Sequence, residues 1–235
     1  MLHIAVKNND MDQARALLEG GADANASDED GDTPLYNAVF YNHSAEVITL
    51  LLEHGAVANA SNIWGNTPLH CAAVHGFIAG IRILLDHGAD VHARNRTGNT
   101  PLHLAAYYER PDAIRILLDH GASVHARNHN GDTPLNRVAK YGYANEVQML
   151  IEHGSNIYSL NNLGETPVRW GTTCCSKDTA RSLAAAAIQI AWRRFRRNRA
   201  ARVIQSHWVR AYWNPDYRVC QGRLRRDFAA LMAAH

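Results

Sequence analysis

One short unit returns five times along this 235-residue chain and limits its fold more than any other feature. The unit is Gly-x-Thr-Pro, and successive copies lie 34, 33, 33 and 33 residues apart. The copies are Gly31–Pro34, Gly65–Pro68, Gly98–Pro101, Gly131–Pro134 and Gly164–Pro167. A second unit recurs at the same spacing. It consists of two aliphatic residues and an acidic residue, and a glycine follows two positions later, at Gly21, Gly55, Gly88, Gly121 and Gly154. A fixed period of this length indicates a stack of similar structural units.

Each unit predicts a pair of helices. In the fourth unit, Thr100 is a good N-cap and Pro101 suits the first helical position, where a missing N–H costs nothing. A break near residues 110–112 is followed by aliphatic residues at helical spacing, and Gly121 can end this second helix in the left-handed conformation. The polar residues 122–131 suit a projecting loop. One such pair cannot bury its own apolar face, so neighbouring units must stack.

The repeated pattern resembles the ankyrin repeat, whose signature Thr-Pro-Leu-His is complete at Thr67–His70 and Thr100–His103. The resemblance covers residues 1 to about 175, with about five repeats and a partial sixth. It implies an all-α repeat solenoid of helix-turn-helix units with short β-hairpin fingers, and a protein-binding role. The first unit begins inside its first helix, at Leu2, and we expect it to cap the array. The second unit has one extra residue near positions 41–44.

The fourteen histidines are mostly periodic, and we interpret them as hydrogen-bonded parts of the framework. Equivalent histidines one repeat apart are separated by roughly 10 Å, too far to share a metal ion. No phosphate-binding glycine loop and no nucleophile–base pair stands out from the repeat. The sequence therefore predicts no metal, no cofactor and no enzymatic activity.

The net charge of +2 is unevenly divided along the chain. Residues 1–180 hold 12 basic and 20 acidic residues, whereas residues 181–235 hold 12 arginines and 2 acids. The sequence shows no signal peptide, no membrane span and no metal-type cysteine spacing. Matches to the N-glycosylation pattern, at Asn25, Asn42, Asn59 and Asn95, are interpreted as chance. We expect a cytoplasmic monomer with reduced cysteines, for which nuclear entry stays open.

Partners of ankyrin arrays usually dock on the concave face, formed by the finger tips and the first helices. At those positions this chain carries residues that the framework does not explain, many of them aromatic, and aromatic residues are common interface anchors. The predicted partner-binding residues are Phe40, Tyr41, Trp64, Val74, His75, Arg96, Tyr107, Tyr108 and Tyr141. The alternative is that several of these side chains pack against neighbouring repeats instead.

The basic tail, residues 176–235, predicts one long helix from about 177 to 213, which Pro215 would stop. Within it, Ile188, Trp192 and Phe195 form one apolar stripe at helical spacing, surrounded by arginines. This stretch resembles an IQ motif, the kind of helix that calmodulin or a related light chain binds. The residues concerned are Ile188, Gln189, Trp192, Arg193, Arg194, Phe195 and Arg199 in a good first copy, and Ile204, Gln205 and Trp208 in a weaker second copy.

Two other interpretations of the tail stay open. A helix this basic also suits nucleic acid, an anionic membrane or nuclear import. Alternatively, Leu183, Ile188 and Trp192 cap the last repeat and the arginines face outward. The function predicted from the sequence is a scaffold or adaptor, with a nucleic-acid- or membrane-associated factor as the alternative.

Overall fold

A computed structural model describes residues 1–41, 45–169, 178–180 and 182–187. The chain divides into two units, Met1–Ala186 and Ala187–His235, and nearly all described residues belong to the first. Among the described residues up to Glu152, ten α-helices follow one another: α1 (Leu2–Lys7), α2 (Met11–Glu19), α3 (Pro34–Phe40), α4 (Ala45–Glu53), α5 (Pro68–His75), α6 (Ile78–Asp86), α7 (Pro101–Tyr107), α8 (Pro111–Asp119), α9 (Pro134–Tyr141) and α10 (Ala144–Glu152). They form the five predicted pairs, which confirms an all-α repeat solenoid.

In the second to fifth pairs, the first helix begins where the repeated Thr-Pro unit predicts. Thr67 has extended backbone angles, φ −86° and ψ 165°, and Pro68 occupies the first helical position. The backbone N–H of His70 donates to the Thr67 hydroxyl at 3.4 Å, so a helix-end donor that would otherwise lack a partner is satisfied. Thr33, Thr100 and Thr133 stand at the same position before α3, α7 and α9.

The helices pack in two layers. The inner helices, α1, α3, α5, α7 and α9, contact each other in chain order, and the outer helices α4, α6, α8 and α10 do the same. Leu69, Leu102 and Leu135 of the inner helices are fully buried between the layers. Each such leucine stabilises the fold by about 1.5–3 kcal/mol through the apolar surface that it removes from water.

The fingers between the pairs are tight turns, and no β-strand occurs in the described part of the chain. In the fourth unit, Asn95 N–H donates to Asn99 O at 3.0 Å, and Gly98, with φ +74°, provides the left-handed residue of the turn. Gly98 N–H in turn donates to Asn95 O at 2.8 Å, so the finger closes as a turn and does not extend into the predicted β-hairpin. Neighbouring fingers are also joined, because Arg96 N–H donates to Trp64 O at 3.0 Å.

Helical residues beyond the fifth pair continue to cover the array. The Thr179 hydroxyl donates to the Gly142 carbonyl at 2.6 Å, and Leu183 and Ala186 are buried. The predicted tail helix is therefore helical at 178–180 and 182–187. All of the IQ-like residues, from Ile188 to Trp208, lie outside the described residues, and so do positions 42–44, where the extra residue of the second unit was predicted.

No helix among the described residues has the length and apolar character needed to cross a membrane.

Candidate protein-binding face

The signature histidines link each repeat to the next from buried positions. Nδ1 of His70 lies 3.2 Å from the Thr67 backbone N–H, which donates to it, and Nε2 lies 3.0 Å from Asn99 O in the following unit. His103 makes the same pair of contacts with Thr100 N–H and Asp132 O. Because Nδ1 faces a donor and Nε2 faces a carbonyl, both rings are neutral and carry their proton on Nε2.

Burial keeps these rings neutral. Removal from water lowers the pKa of His70, and it lowers the pKa of His103 to about 4. Another periodic set, His54, His87, His120 and His153, places Nδ1 at 2.8–2.9 Å from the carbonyl four residues earlier. The prediction that the periodic histidines are hydrogen-bonded framework residues is confirmed for both sets.

A second buried ladder, made of asparagines, was missed by the sequence analysis. Asn62 Oδ1 accepts the backbone N–H groups of Trp64 and Asn66, each at 3.0 Å, while its amide donates to Asp32 in the preceding finger at 2.9 Å. Asn95, Asn128 and Asn161 repeat this arrangement one unit apart. The 33-residue spacing of these four asparagines in the sequence could have indicated the ladder.

Exposed aromatic side chains line the C-terminal ends of the inner helices. Phe40 meets Tyr41 and His75 edge-to-face, with ring centroids 5.2 and 5.4 Å apart. One repeat further on, Tyr107 meets Tyr108 at 4.9 Å and Tyr141 at 5.4 Å, also edge-to-face. Tyr143 then stacks on Tyr141 at 5.9 Å. We call this set the aromatic strip: Phe40, Tyr41, His75, Tyr107, Tyr108, Tyr141 and Tyr143.

Basic groups lie on the strip at both ends. The Lys7 ammonium is 5.6 Å from the centroid of the Tyr41 ring, and the Arg137 guanidinium is 5.4 Å from that of Tyr107. Such cation–π contacts are worth about 0.5–1 kcal/mol at exposed sites. A hydrogen bond with Tyr107, and next burial, raise the pKa of Tyr141, so the Tyr141 phenol stays neutral at physiological pH. The strip is therefore an aromatic surface with cations over two of its rings.

A cleft of about 90 Å³ opens beside the strip, between α3, α5 and α7. Its walls include Tyr36, Phe40, Cys71, Val74 and Leu104. Burial raises the pKa of the Cys71 thiol to about 12, so this cysteine is an apolar wall rather than a nucleophile. Since a water molecule occupies about 30 Å³ of liquid, the cleft has room for a small aliphatic group.

The structure brings most of the predicted site residues onto this surface. Phe40, Tyr41, His75, Tyr107, Tyr108 and Tyr141 belong to the strip, and Val74 lines the cleft. Trp64 and Arg96 lie apart on the finger tips, exposed to solvent, and among the described residues no ring contact joins Trp64 to the strip. Sequence reasoning missed Tyr143, which stacks on Tyr141 within the fifth repeat. It also missed Tyr36 and the two cations over the rings, because their contacts cross between repeats.

Comparison with known proteins agrees with this geometry. A family model for ankyrin repeats matches residues 2–95 and 102–191, and a second ankyrin-repeat model matches residues 75–118. A fowlpox virus (strain NVSL) protein named as an ankyrin repeat protein is 47% identical over 47 residues. That stretch is 20% of this chain and only 14% of the viral protein. Ankyrin repeats generally serve protein–protein interaction without enzymatic activity. The chain belongs to the ankyrin-repeat family.

Proposed function

We propose that this protein is an adaptor that binds a partner protein on the face formed by the inner helices and the finger tips. The observation that carries the proposal is the exposure of large aromatic side chains on this face, outside the buried framework. Trp64 is 50% exposed, Phe40 46% and Tyr108 45%. Aromatic side chains gathered on a surface usually mark a contact site, and Tyr and Trp are frequent anchors there.

The framework does not need these side chains. Recurring leucines, histidines and asparagines supply the buried contacts and the hydrogen bonds between repeats, whereas the strip lies outside that network. Its rings contact one another across repeat boundaries, so the anchors are held in place before a partner arrives. Anchors held in this way lose less side-chain entropy on binding, which favours affinity.

The test is a quantitative pull-down with the full chain. The variant Phe40→Ser/Tyr108→Ser removes two exposed rings from the face, and the control Tyr158→Ser/Leu160→Ser removes two exposed apolar side chains outside the predicted site. We expect partners to be lost with the first variant and retained with the control. Partners retained equally by both variants would contradict the proposed binding face.

For the tail, we propose binding of a calmodulin-like protein around Ile188, Trp192 and Phe195. The support is the sequence alone: an apolar stripe among arginines with no acid nearby, suited to an acidic, methionine-lined groove. The 16 residues between the two IQ-like copies correspond to ~24 Å of helix, room for one bilobed partner that holds both copies. The proposal places the protein in the cytoplasm.

Calorimetry with and without calcium tests the tail. We expect a one-to-one complex, and a greater loss for Trp192→Ala than for Trp208→Ala, because only the first copy has an arginine after its tryptophan. A stoichiometry of two would contradict the shared-partner geometry, and no heat under either condition would refute the IQ interpretation. Binding of nucleic acid or anionic membrane instead would weaken steeply with added salt.

One observation favours a capping role for the beginning of the tail. Thr179 is fully buried and its hydroxyl donates to Gly142 O, while Leu183 is 1% exposed. The described residues 178–180 and 182–186 thus cover the end of the array, as a terminal repeat requires. Thr179→Val, which removes this hydroxyl at similar volume, should lower the free energy of unfolding by about 1 kcal/mol. An unchanged free energy would argue against a capping role.

A further inference from the structure

The two helical layers differ in charge. The five inner helices contain no Asp or Glu and carry three basic residues, Lys7, Arg137 and Lys140. The second helices of the five pairs, α2 and the outer helices α4, α6, α8 and α10, carry nine acidic residues and only three arginines, Arg15, Arg82 and Arg115. The aromatic strip thus lies on the basic layer of a domain whose overall charge is negative. A binding surface selects partners by such complementarity, which speeds association and excludes partners of like charge.

The basic groups are close to the aromatic rings and the cleft. Besides Lys7 and Arg137, which contact Tyr41 and Tyr107, Arg110 lies beside the cleft wall. The Nε–H of Arg110 donates to Val74 O at 2.9 Å. The pKa of the neighbouring His75 is lowered first by its own burial and next by the charge of Arg110. Three carboxylates also approach the strip. Asp132 lies 3.6 Å from Arg137, and the pKa of Tyr143 is raised first by burial and next by the charges of Glu109 and Glu146.

We propose that the strip binds an acidic segment of a partner protein, with a small aliphatic side chain of that segment in the cleft between α3, α5 and α7. This inference rests on the proposed adaptor function and specifies the chemistry of the partner. Acidic side chains of the segment meet Lys7, Arg110 and Arg137, its backbone lies along the tyrosine rings, and the apolar walls Phe40, Val74 and Leu104 receive the aliphatic group.

A peptide fits this surface better than a nucleic acid does, although aromatic rings and cations suit both. The cleft walls are largely apolar, and a nucleic acid has no aliphatic branch to place there. The acidic outer layer and fingers also repel a long polyanion, whereas a short acidic segment meets mainly the local basic groups within a Debye length of about 8 Å.

The experiment begins with a random-peptide display selection on the full chain, followed by subtraction against Phe40→Ser/Tyr108→Ser to keep only strip-dependent peptides. We expect the remaining peptides to be rich in Asp and Glu around one Val, Leu or Ile. Strip-dependent peptides that are neutral or basic would overturn the acidic-partner inference and leave the adaptor function standing. An absence of strip-dependent peptides would overturn both.

One selected peptide then serves as the probe in fluorescence anisotropy. Charge reversal by Lys7→Glu/Arg110→Glu should weaken its binding about tenfold or more, whereas the matched control Arg82→Glu/Arg115→Glu on the outer layer should change it less than about twofold. Val74→Phe, which fills the cleft, should weaken binding without altering the helical circular dichroism. Equal effects of the two charge reversals, or a single-stranded oligonucleotide that binds the strip more tightly than the peptide, would overturn the inference.

Discussion

The buried framework and the exposed aromatic strip lie on the same inner helices, yet they follow opposite rules. Framework residues recur from repeat to repeat and satisfy one another, as His70 and His103 do through the carbonyls of the following units. Strip residues are exposed and make few contacts that the fold requires, although Tyr41, Tyr108 and Tyr141 recur eight residues after the threonine of their units. Burial with satisfied hydrogen bonds marks what holds the array together, and exposure of large aromatic rings marks what is available for recognition.

The fifth repeat shows what happens when a buried position stops recurring. Asn136 stands where His70 and His103 stand in the two preceding repeats, and Ser155 stands where Ala89 and Ala122 stand. Both are buried, and among the described residues Asn136 Nδ2 and Ser155 Oγ are the buried side-chain polar atoms without a hydrogen-bond partner. A buried polar atom without a partner costs about 1–3 kcal/mol, so these two departures from the repeat destabilise the fifth unit.

Removing a framework histidine tests most strongly whether the framework residues carry the stability of the array. His103→Ala should lower the free energy of unfolding by about 3 kcal/mol, because it leaves a cavity and deprives both Thr100 N–H and Asp132 O of their partner. Urea denaturation measures the change. The control His92→Ala alters an exposed histidine and should change stability by less than about 0.5 kcal/mol. Similar losses in the two variants would refute the framework role of His103.

Lowering the pH tests the contribution of His103 to stability without removing its side chain and so without creating a cavity. Burial, and next the charges of Arg137 and Arg94, hold the pKa of His103 at about 4, below the 6.5 of an exposed imidazole. The unfolded chain therefore takes up this proton first. The neutral His103 ring contributes its full stabilisation above pH 6.5, and this contribution is lost as the pH falls through about 4. The loss in the free energy of unfolding is on the order of 2 kcal/mol or more. The wild-type denaturation midpoint should fall more steeply across this window than that of His103→Asn. Parallel profiles would contradict the assignment.

On the surface, the expected result is reversed. Trp64→Ala/Tyr108→Ala should leave the unfolding free energy nearly unchanged, since both side chains are about half exposed. The same variant should weaken partner binding by ~2 kcal/mol or more if these side chains are anchors. Denaturation and titration of the same samples measure both quantities. A large loss of stability with unchanged binding would place these residues in the framework and end the comparison.

The smallest expected effect restores recurrence in the fifth repeat. Asn136→His should allow Nε2 to reach the carbonyl of Glu165, as its counterparts reach Asn99 and Asp132, and should stabilise by about 1 kcal/mol. Ser155→Ala, which removes the other unpartnered polar atom, should act in the same direction. The control Asn130→His changes an exposed finger residue and should be neutral. A destabilising Asn136→His would show that the fifth unit is built around its asparagine.

The sequence predicted the framework well because its signals are local and periodic. Thr100 and Pro101 start a helix, Gly121 ends one with φ +84°, and the spacing places five pairs. The asparagine ladder was harder to predict, since its meaning depends on a neighbouring finger. Asn95 was treated only as a chance glycosylation match, yet its amide donates to Asn66.

The candidate site was predictable only in part. Exposed aromatic residues at helix ends could be identified from register, as with Tyr108. Tyr36 could not, because it stands at a signature position and becomes a cleft wall only when α5 and α7 pack beside it. Likewise, the contact of Arg137 with Tyr107 joins two repeats and depends on rotamers that no single repeat specifies.

The central claim is that a partner protein covers the strip and leaves the outer layer free. Amide hydrogen exchange of the full chain, with and without the partner recovered by pull-down, tests it most directly. The account predicts slower exchange at the C-terminal ends of α3, α5, α7 and α9 and around Trp64, with α4, α6 and α8 unchanged. Slower exchange confined to the outer helices, or to residues after 187, would contradict it.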